Sequence, residues 1–324
     1  MCTAVTYRTD NHYFGRTLDY EFSYHETVTV TPRGYRFSYR HVQDSCEHYA
    51  IIGMAYVVDN YPLYYDGTNE YGLSMAGLNF PGNAYYGEPV EGKDNVSPFE
   101  LIPWILGQCR DIGEVKQLLE NINLINENYS EALPLSPLHW IIADRDEAIV
   151  LESMKDGLKV YDNPVGVLTN NPPFQYHMHN IANYMQLSSE EPANNMSSNI
   201  DIKPYSRGMG AMGLPGDLSS ASRFVRAAFT RLNSVSGQDE MSSVSQFFHI
   251  LGAVAQQRGL VHMGENQYEI SIYTSCCNTD KGIYYYRTYD SHSIKAVDMH
   301  REQLDGDKLI SYELRKDADI YYHN

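Results

Sequence analysis

The chain opens Met1-Cys2-Thr3-Ala4-Val5-Thr6-Tyr7-Arg8-Thr9-Asp10-Asn11-His12-Tyr13-Phe14-Gly15-Arg16-Thr17-Leu18-Asp19, and its fold turns on how this stretch pairs with itself. Residues 3–8 and 13–19 are rich in β-branched and aromatic side chains. Thr9-Asp10-Asn11-His12 between them is a turn signal, so the stretch predicts a β-hairpin. A turn centred on Asp10-Asn11 sets Cys2 opposite Asp19, where cross-strand Cβ atoms lie roughly 4.5–5.5 Å apart. Arg16 is three residues from Asp19, so alternation assigns it to the other face. Its long side chain, or a bulge near Gly15, must bring the guanidinium round to Cys2.

Position gives Cys2 a chemistry of its own. Once Met1 is removed, Cys2 carries an amine with a reference pKa of about 7.7–8.0 and a thiol of about 8.5. One residue then supplies a nucleophile and a general base without a histidine partner.

Outward from the hairpin, short β-rich runs occupy 27–31, 35–39, 51–58 and 72–76. Helical spacing follows at 99–109 and 111–125. A second β block covers 139–143, 148–152, 158–161 and 165–169. After a polar connection at 188–203, helical stripes return at 219–233, with Phe224, Val225, Ala228, Phe229 and Leu232, and at 242–257. Strands at 268–275, 282–289 and 294–297 close the chain. Strands, helix pair, strands, helix pair, strands predict packed sheets covered by helices in one domain spanning 1–324.

With 324 residues and 43% hydrophobic content, the chain is long enough for a large core. Its 24 Lys and Arg stand against 41 Asp and Glu, a formal net charge of −17. Such a chain is repelled by phosphate backbones and anionic lipid, which argues against nucleic-acid and membrane partners. No run reaches the ~18–20 apolar residues of a membrane span. The first residues lack the basic and apolar regions of a signal peptide. Five cysteines without CxxC spacing suit neither a disulfide framework nor a zinc cage. These features predict a cytoplasmic protein.

Two motifs carry less than their pattern suggests. Gly208-Met209-Gly210-Ala211-Met212-Gly213 matches GxGxxG, but no strand precedes it and Leu214-Pro215-Gly216 follows, so it reads as a glycine-rich loop. His177-Met178-His179 does not converge on one helix face and reads as two surface histidines.

Several segments carry a family likeness together: Met1-Cys2-Thr3, Phe14-Gly15-Arg16-Thr17-Leu18-Asp19, Asn69-Glu70-Tyr71-Gly72-Leu73, Ala76-Gly77-Leu78-Asn79-Phe80-Pro81 and Leu168-Thr169-Asn170-Asn171-Pro172. Gly213-Leu214-Pro215-Gly216-Asp217, Ser222-Arg223-Phe224 and Tyr284-Tyr285-Tyr286 add to it. With these segments the chain resembles the conjugated bile salt hydrolases, which are choloylglycine hydrolases, a branch of the N-terminal nucleophile hydrolases that also includes penicillin V acylase. The likeness runs in order from residue 1 to about residue 315.

The resemblance implies an α+β, four-layer αββα sandwich of two antiparallel sheets between helix layers. It also implies removal of Met1 and a homotetramer. It makes Cys2 the nucleophile and its amine the base, with Asp19 orienting that amine and Arg16 favouring the thiolate. Asn79 and Asn170 would donate to the oxyanion, and Arg223 would balance charge. Asn79 points to bile salts, because the penicillin acylases usually carry Tyr there. Leu18, Val58, Tyr129, Leu133 and Leu138 would line the steroid pocket. Arg207, in the glycine-rich loop, is a candidate for the amino-acid end of the substrate. The implied substrates are glycine- and taurine-conjugated bile salts, with no cofactor and no metal. Penicillin V acylase or another N-acyl amide hydrolase of the same fold is the alternative activity, and a sterol or acyl-amide binding protein is the non-enzymatic alternative.

Overall fold

The computed structural model describes residues 1–318 and 320–324. The chain begins with β1 (Cys2–Arg8), β2 (His12–Tyr20), β3 (Thr27–Thr31), β4 (Ile51–Val58), β5 (Tyr61–Asn69) and β6 (Ser74–Asn79). After β7 (Asp94–Val96) come helices α1 (Leu101–Leu106) and α2 (Ile112–Leu119). Strands β8 (Ile122–Leu124), β9 (Leu138–Ala143), β10 (Ala148–Met154), β11 (Gly157–Asp162) and β12 (Val167–Leu168) follow. Helices α3 (Phe174–Asn180), α4 (Ser220–Asn233) and α5 (Glu240–Gly252) precede the last strands. These are β13 (His262–Gly264), β14 (Gln267–Tyr268), β15 (Ile270–Asn278), β16 (Ile283–Thr288), β17 (Lys295–Asp298) and β18 (Ile310–Glu313).

Two large antiparallel sheets result. One has six strands in the order β12-β1-β2-β15-β16-β17, the other eight in the order β11-β10-β9-β6-β5-β4-β3-β18. Val28, Val30, Ile52 and Met54 of the larger sheet meet Tyr273, Cys277, Tyr284 and Tyr286 of the smaller. Helices α4 and α5 cover the outer face of β1, β2 and β15, and α1 covers β5 and β6. Helix α2 shares the α1 core. The four layers run helix, sheet, sheet, helix, the α+β sandwich expected. Helices α2, α4 and α5 start where side chains accept from free backbone N–H groups: Asp111 caps α2, Ser219 caps α4 and Asp239 caps α5.

The hairpin register differs from expectation by one residue. Cys2 pairs with Leu18, Thr3 with Thr17 and Ala4 with Arg16. Asp19 pairs instead with Met1, its N–H donating to the Met1 carbonyl at 2.9 Å. The cause is a three-residue loop, Thr9–Asn11, closed by Thr9 N–H donating to the Asn11 carbonyl at 2.9 Å. A one-residue slip exchanges the faces of a strand. Arg16 and Leu18 therefore share the Cys2 face with no bulge at Gly15, and Asp19 lies on the opposite face with Thr17 and Thr3. The irregularity falls on the partner strand β15, between Ser271 and Tyr273. Gly15 serves close approach, since a Cβ there would stand 2.1 Å from the Ser275 carbonyl oxygen.

Other expectations shift too. Tyr35, Phe37 and Tyr39 are buried beside α1 but make only an isolated bridge, Phe37 to Ser45. The helix expected over 111–125 stops at Leu119, and Ile122–Leu124 pairs in parallel with Asp94–Val96. Leu232 is exposed rather than on the inner stripe of α4. The glycine-rich loop is a short 3-10 turn, Met209–Ala211, against the polar connection, where a Cβ on Gly210 would stand 2.0 Å from the Glu190 carbonyl oxygen.

Candidate active site

Cys2 begins β1 at the point where three elements meet. Strand β12 pairs Leu168 with Ala4, and the same register carried two residues further brings Asn170 level with Cys2. The Cys2 backbone N–H donates to Asn170 Oδ1 at 2.8 Å. From the first turn of α4, Arg223 Nη1 donates to the Cys2 carbonyl at 2.5 Å and to Thr3 Oγ1 at 2.6 Å, and its Nη2 to Asn170 Oδ1 at 2.7 Å. Its Nε donates to the Leu218 carbonyl at 3.0 Å. Cys2, Asn170 and Arg223 are all buried. Burial lowers the Arg223 pKa from its ordinary value, against the opposing pull of Asp19, Cys2 and Glu269.

Arg16 stands on the other side of the sheet from Arg223. Its Nε donates to the Thr17 carbonyl at 3.2 Å and its Nη1 to the Tyr65 carbonyl at 3.1 Å and to that of Gly77. All three partners are neutral, so the countercharge lies elsewhere. Burial would lower the Arg16 pKa, but Cys2, Tyr273, Asp66 and Asp19 together raise it above its ordinary value. Asp66 in turn accepts from Tyr273 Oη at 2.8 Å and Tyr284 Oη at 2.6 Å.

The Asp19 carboxylate accepts from Thr17 Oγ1 at 3.1 Å and Ser271 Oγ at 2.5 Å. It is thus fixed beside the end of β1, on the Arg223 face. Asn79 ends β6 with its side chain exposed, and its carbonyl accepts from Asn170 Nδ2 at 2.7 Å. Met1 is held by three contacts. Its amine reaches Glu269 Oε1 and the Asp19 carbonyl, each at 2.7 Å, and its carbonyl accepts from Asp19 N–H. Burial raises the Glu269 pKa, and the adjacent amine opposes the shift.

The expected pocket residues divide into groups. Leu18 pairs with Cys2, and Leu138 pairs with Asn79. Tyr129 donates to the Val58 carbonyl at 3.2 Å and borders a cavity of about 360 Å³ with Arg40, Tyr61 and Phe99. Leu133 closes a turn back to Ser130. Arg207 stands exposed before the Met209–Ala211 turn, and no hydrogen bond or ion pair among the described residues joins it to the Cys2 cluster.

Sequence reasoning missed Thr3, Ser271 and Glu269 as members of this cluster. Ser271 comes opposite Asp19 only through the β15 irregularity, for which no local motif signals. It also misplaced His177, which is buried with Nε2 on the Asn170 carbonyl at 2.9 Å, whereas His179 is exposed. Its neighbour in sequence gave the pattern a surface reading; a ring stacked on Phe224 keeps it inside.

Residues 2–312 match the family described as linear amide C–N hydrolases, choloylglycine hydrolase family. The chain is 58% identical over 324 residues, the full length of both chains, to a bile salt hydrolase/transferase of Lactiplantibacillus plantarum. It is 39% identical over 318 residues to a conjugated bile acid hydrolase of Lactobacillus gasseri, covering 96% of this chain and 100% of the relative. Among solved structures, a mutant conjugated bile acid hydrolase from Clostridium perfringens superposes with a TM-score of 0.92 at 36% identity, over 100% of both chains. Penicillin V acylase from Agrobacterium tumefaciens gives a TM-score of 0.78 at 17% identity over 97% of this chain and 92% of the other, a likeness of fold alone.

Proposed function

The chain belongs to the choloylglycine hydrolase family, and from that premise we propose that it hydrolyses the amide bond of glycine- and taurine-conjugated bile salts. One observation carries the chemistry: Cys2 begins β1 with its backbone gripped by Asn170 and Arg223. The full-length identity to a bile salt hydrolase/transferase supports the substrate class.

Removal of Met1 frees the Cys2 amine where its amide nitrogen now meets Asn170 Oδ1. The Cys2 sulfur, with the Arg16 charge on its side of the sheet, attacks the amide carbonyl. Asn79 and Asn170 Nδ2 donate to the oxyanion that forms, a contribution of about 2.7–4 kcal/mol per donor. The α-amine takes the thiol proton and passes it to the departing amine of glycine or taurine, leaving a Cys2 thioester that water cleaves to free bile acid. Asp19, held by Thr17 and Ser271, fixes the amine's surroundings, and Arg223 balances charge. No cofactor enters these steps.

Leu18 and Leu138 flank the nucleophile and Asn79. With Val58, Tyr129 and Leu133 they supply the apolar wall that a rigid steroid needs. Arg207 offsets the overall negative charge toward the anionic end of the conjugate.

The chain works as one domain in the cytoplasm. Five unpaired cysteines support a reducing compartment, and no helix among the described residues is long and apolar enough to cross a membrane. It assembles as a homotetramer. Exposed Met185, Met196 and Tyr205, about four-fifths accessible each, offer apolar surface of the kind assembly covers. Light scattering tests the assembly.

Release of glycine and taurine from the two conjugates, measured beside cleavage of penicillin V at equal concentration, tests the function. Faster cleavage of penicillin V would overturn the substrate assignment, and no release from either conjugate would overturn the activity.

A further inference from the structure

We propose that two buried histidines, His139 and His177, are positioning residues that aim Asn170 by holding consecutive carbonyls of its loop. The inference rests on Asn170 donating to the oxyanion. His139 Nε2 meets the Thr169 carbonyl at 2.9 Å, and His177 Nε2 meets the Asn170 carbonyl at 2.9 Å. The first imidazole comes from β9 in the larger sheet, the second from α3, and both are fully buried.

A carbonyl only accepts, so each Nε2 carries a hydrogen. His177 Nδ1 is buried without a partner, so that ring is neutral, and burial lowers its pKa accordingly. His139 Nδ1 faces Glu152 Oε1 at 3.0 Å, and that oxygen also accepts from Phe174 N–H at 2.9 Å. That contact orients the ring with Nε2 toward the Thr169 carbonyl. Ring stacking fixes both planes: Phe80 lies on His139 at 4.2 Å and 7°, and Phe224 on His177 at 4.8 Å and 18°.

The two peptide units flanking the Asn170 Cα are planar and rigid. The first is held at both ends, by His139 on the Thr169 carbonyl and by Ser220 Oγ accepting the Asn170 N–H at 2.8 Å. The second is held by His177. Only χ1 and χ2 of Asn170 remain, and Cys2, Arg223 and Asn79 set those. A donor aimed before the reaction avoids reorganisation when the oxyanion forms, which is why such groups need rigid support.

His177→Phe keeps a ring against Phe224 and removes the hydrogen on the Asn170 carbonyl; His177→Gln restores a donor. Hydrolysis of a taurine conjugate by the purified enzyme should show kcat falling about tenfold or more in H177F, with KM changed less than about twofold. H177Q should recover kcat to within about threefold of wild type. In an Asn170→Ala background the same H177F change should alter kcat by less than about twofold, because its target is gone. His139→Asn, which keeps a group toward Glu152 but loses the one on Thr169, gives the same reading should H177F fail to fold.

Multiplying effects in the N170A background, a change in KM alone, or no loss of kcat in H177F and H139N would overturn the inference. Hydrolysis suppressed by N170A but untouched by the histidine variants overturns the inference alone. Full hydrolysis by N170A removes the oxyanion reading, and the inference with it.

Discussion

Arg223 Nη2 donates to Asn170 Oδ1 at 2.7 Å, and the same oxygen accepts the Cys2 backbone N–H at 2.8 Å. Two donors on one oxygen fix the amide's orientation, so Nδ2 must face the other way, toward the Asn79 carbonyl. The planar fork of Arg223 spans the Cys2 carbonyl, Thr3 Oγ1 and Asn170 at once, which a lysine ammonium cannot match. Arg223→Lys should therefore lower kcat at least about tenfold and reduce thermal stability, since unmet buried acceptors cost about 1–3 kcal/mol each. Initial rates and a melting curve check both effects; wild-type kcat in R223K would show that the fork is dispensable.

The cysteines separate nucleophile from core. Burial pushes the thiols of Cys109 and Cys277 up to about 12 and raises that of Cys276 well above its ordinary value, so none is a thiolate near neutral pH. Cys2→Ser should lose most turnover, whereas Cys46→Ser, at an exposed position, should keep it. Cys276→Ser should lower the melting temperature more than kcat. Normal turnover in C2S together with inactivity in C46S would transfer the chemistry to Cys46.

Much of this was readable in the chain, for physical reasons that also mark where reading stops. The hairpin, β3, β4 and α4 carry clean periodicity and lie where the pattern sets them, whereas α5, expected over 242–257, starts at Glu240 and stops at Gly252. The register of the hairpin was not readable, because a two-residue and a three-residue loop fit Thr9-Asp10-Asn11 equally well. Strand β5 went unseen, since Pro62, Asp66 and Gly67 interrupt its alternation although Asp66 and Gly67 are buried by tertiary packing. In the candidate site, position alone did not single out Cys2; the family resemblance did, and with it Asn170 and Arg223. The supports behind them come from long-range contacts: Ser271 reaches Asp19 across strands, and His139 and His177 meet the Asn170 loop from separate layers.

His12 gives stability a pH dependence. Burial, outweighing Asp280 and Asp144, lowers its pKa to about 4, and its Nδ1 is 2.8 Å from Thr279 Oγ1. The unfolded value is about 6.5. Between these values the unfolded chain binds more protons, so this contribution is complete above about pH 6.5 and is lost as pH falls through about 4. The total is about 3 kcal/mol. Denaturant unfolding at several pH values should show wild type losing that much relative to His12→Gln on acidification. A difference between the two that stays constant across the window would rule out the titration.

The proposed function sets Arg207 toward the amino-acid end of the substrate. A guanidinium pairs bidentately with a planar carboxylate and less well with a sulfonate. Arg207→Ala should shift the glycine-to-taurine ratio of kcat/KM toward taurine while leaving the melting temperature unchanged, because the side chain is exposed. An unchanged ratio would make it an ordinary surface arginine.

In the proposed mechanism the free amine of Cys2 works with its own thiol. In the structure that nitrogen is still an amide, and Met1 is clamped between Glu269 and Asp19. Intact-mass measurement of a preparation whose turnover of a taurine conjugate has been titrated tests this most directly. The expected result is a mass lower by one methionine, with turnover proportional to the processed fraction. Full turnover from protein that retains Met1 quantitatively would contradict it.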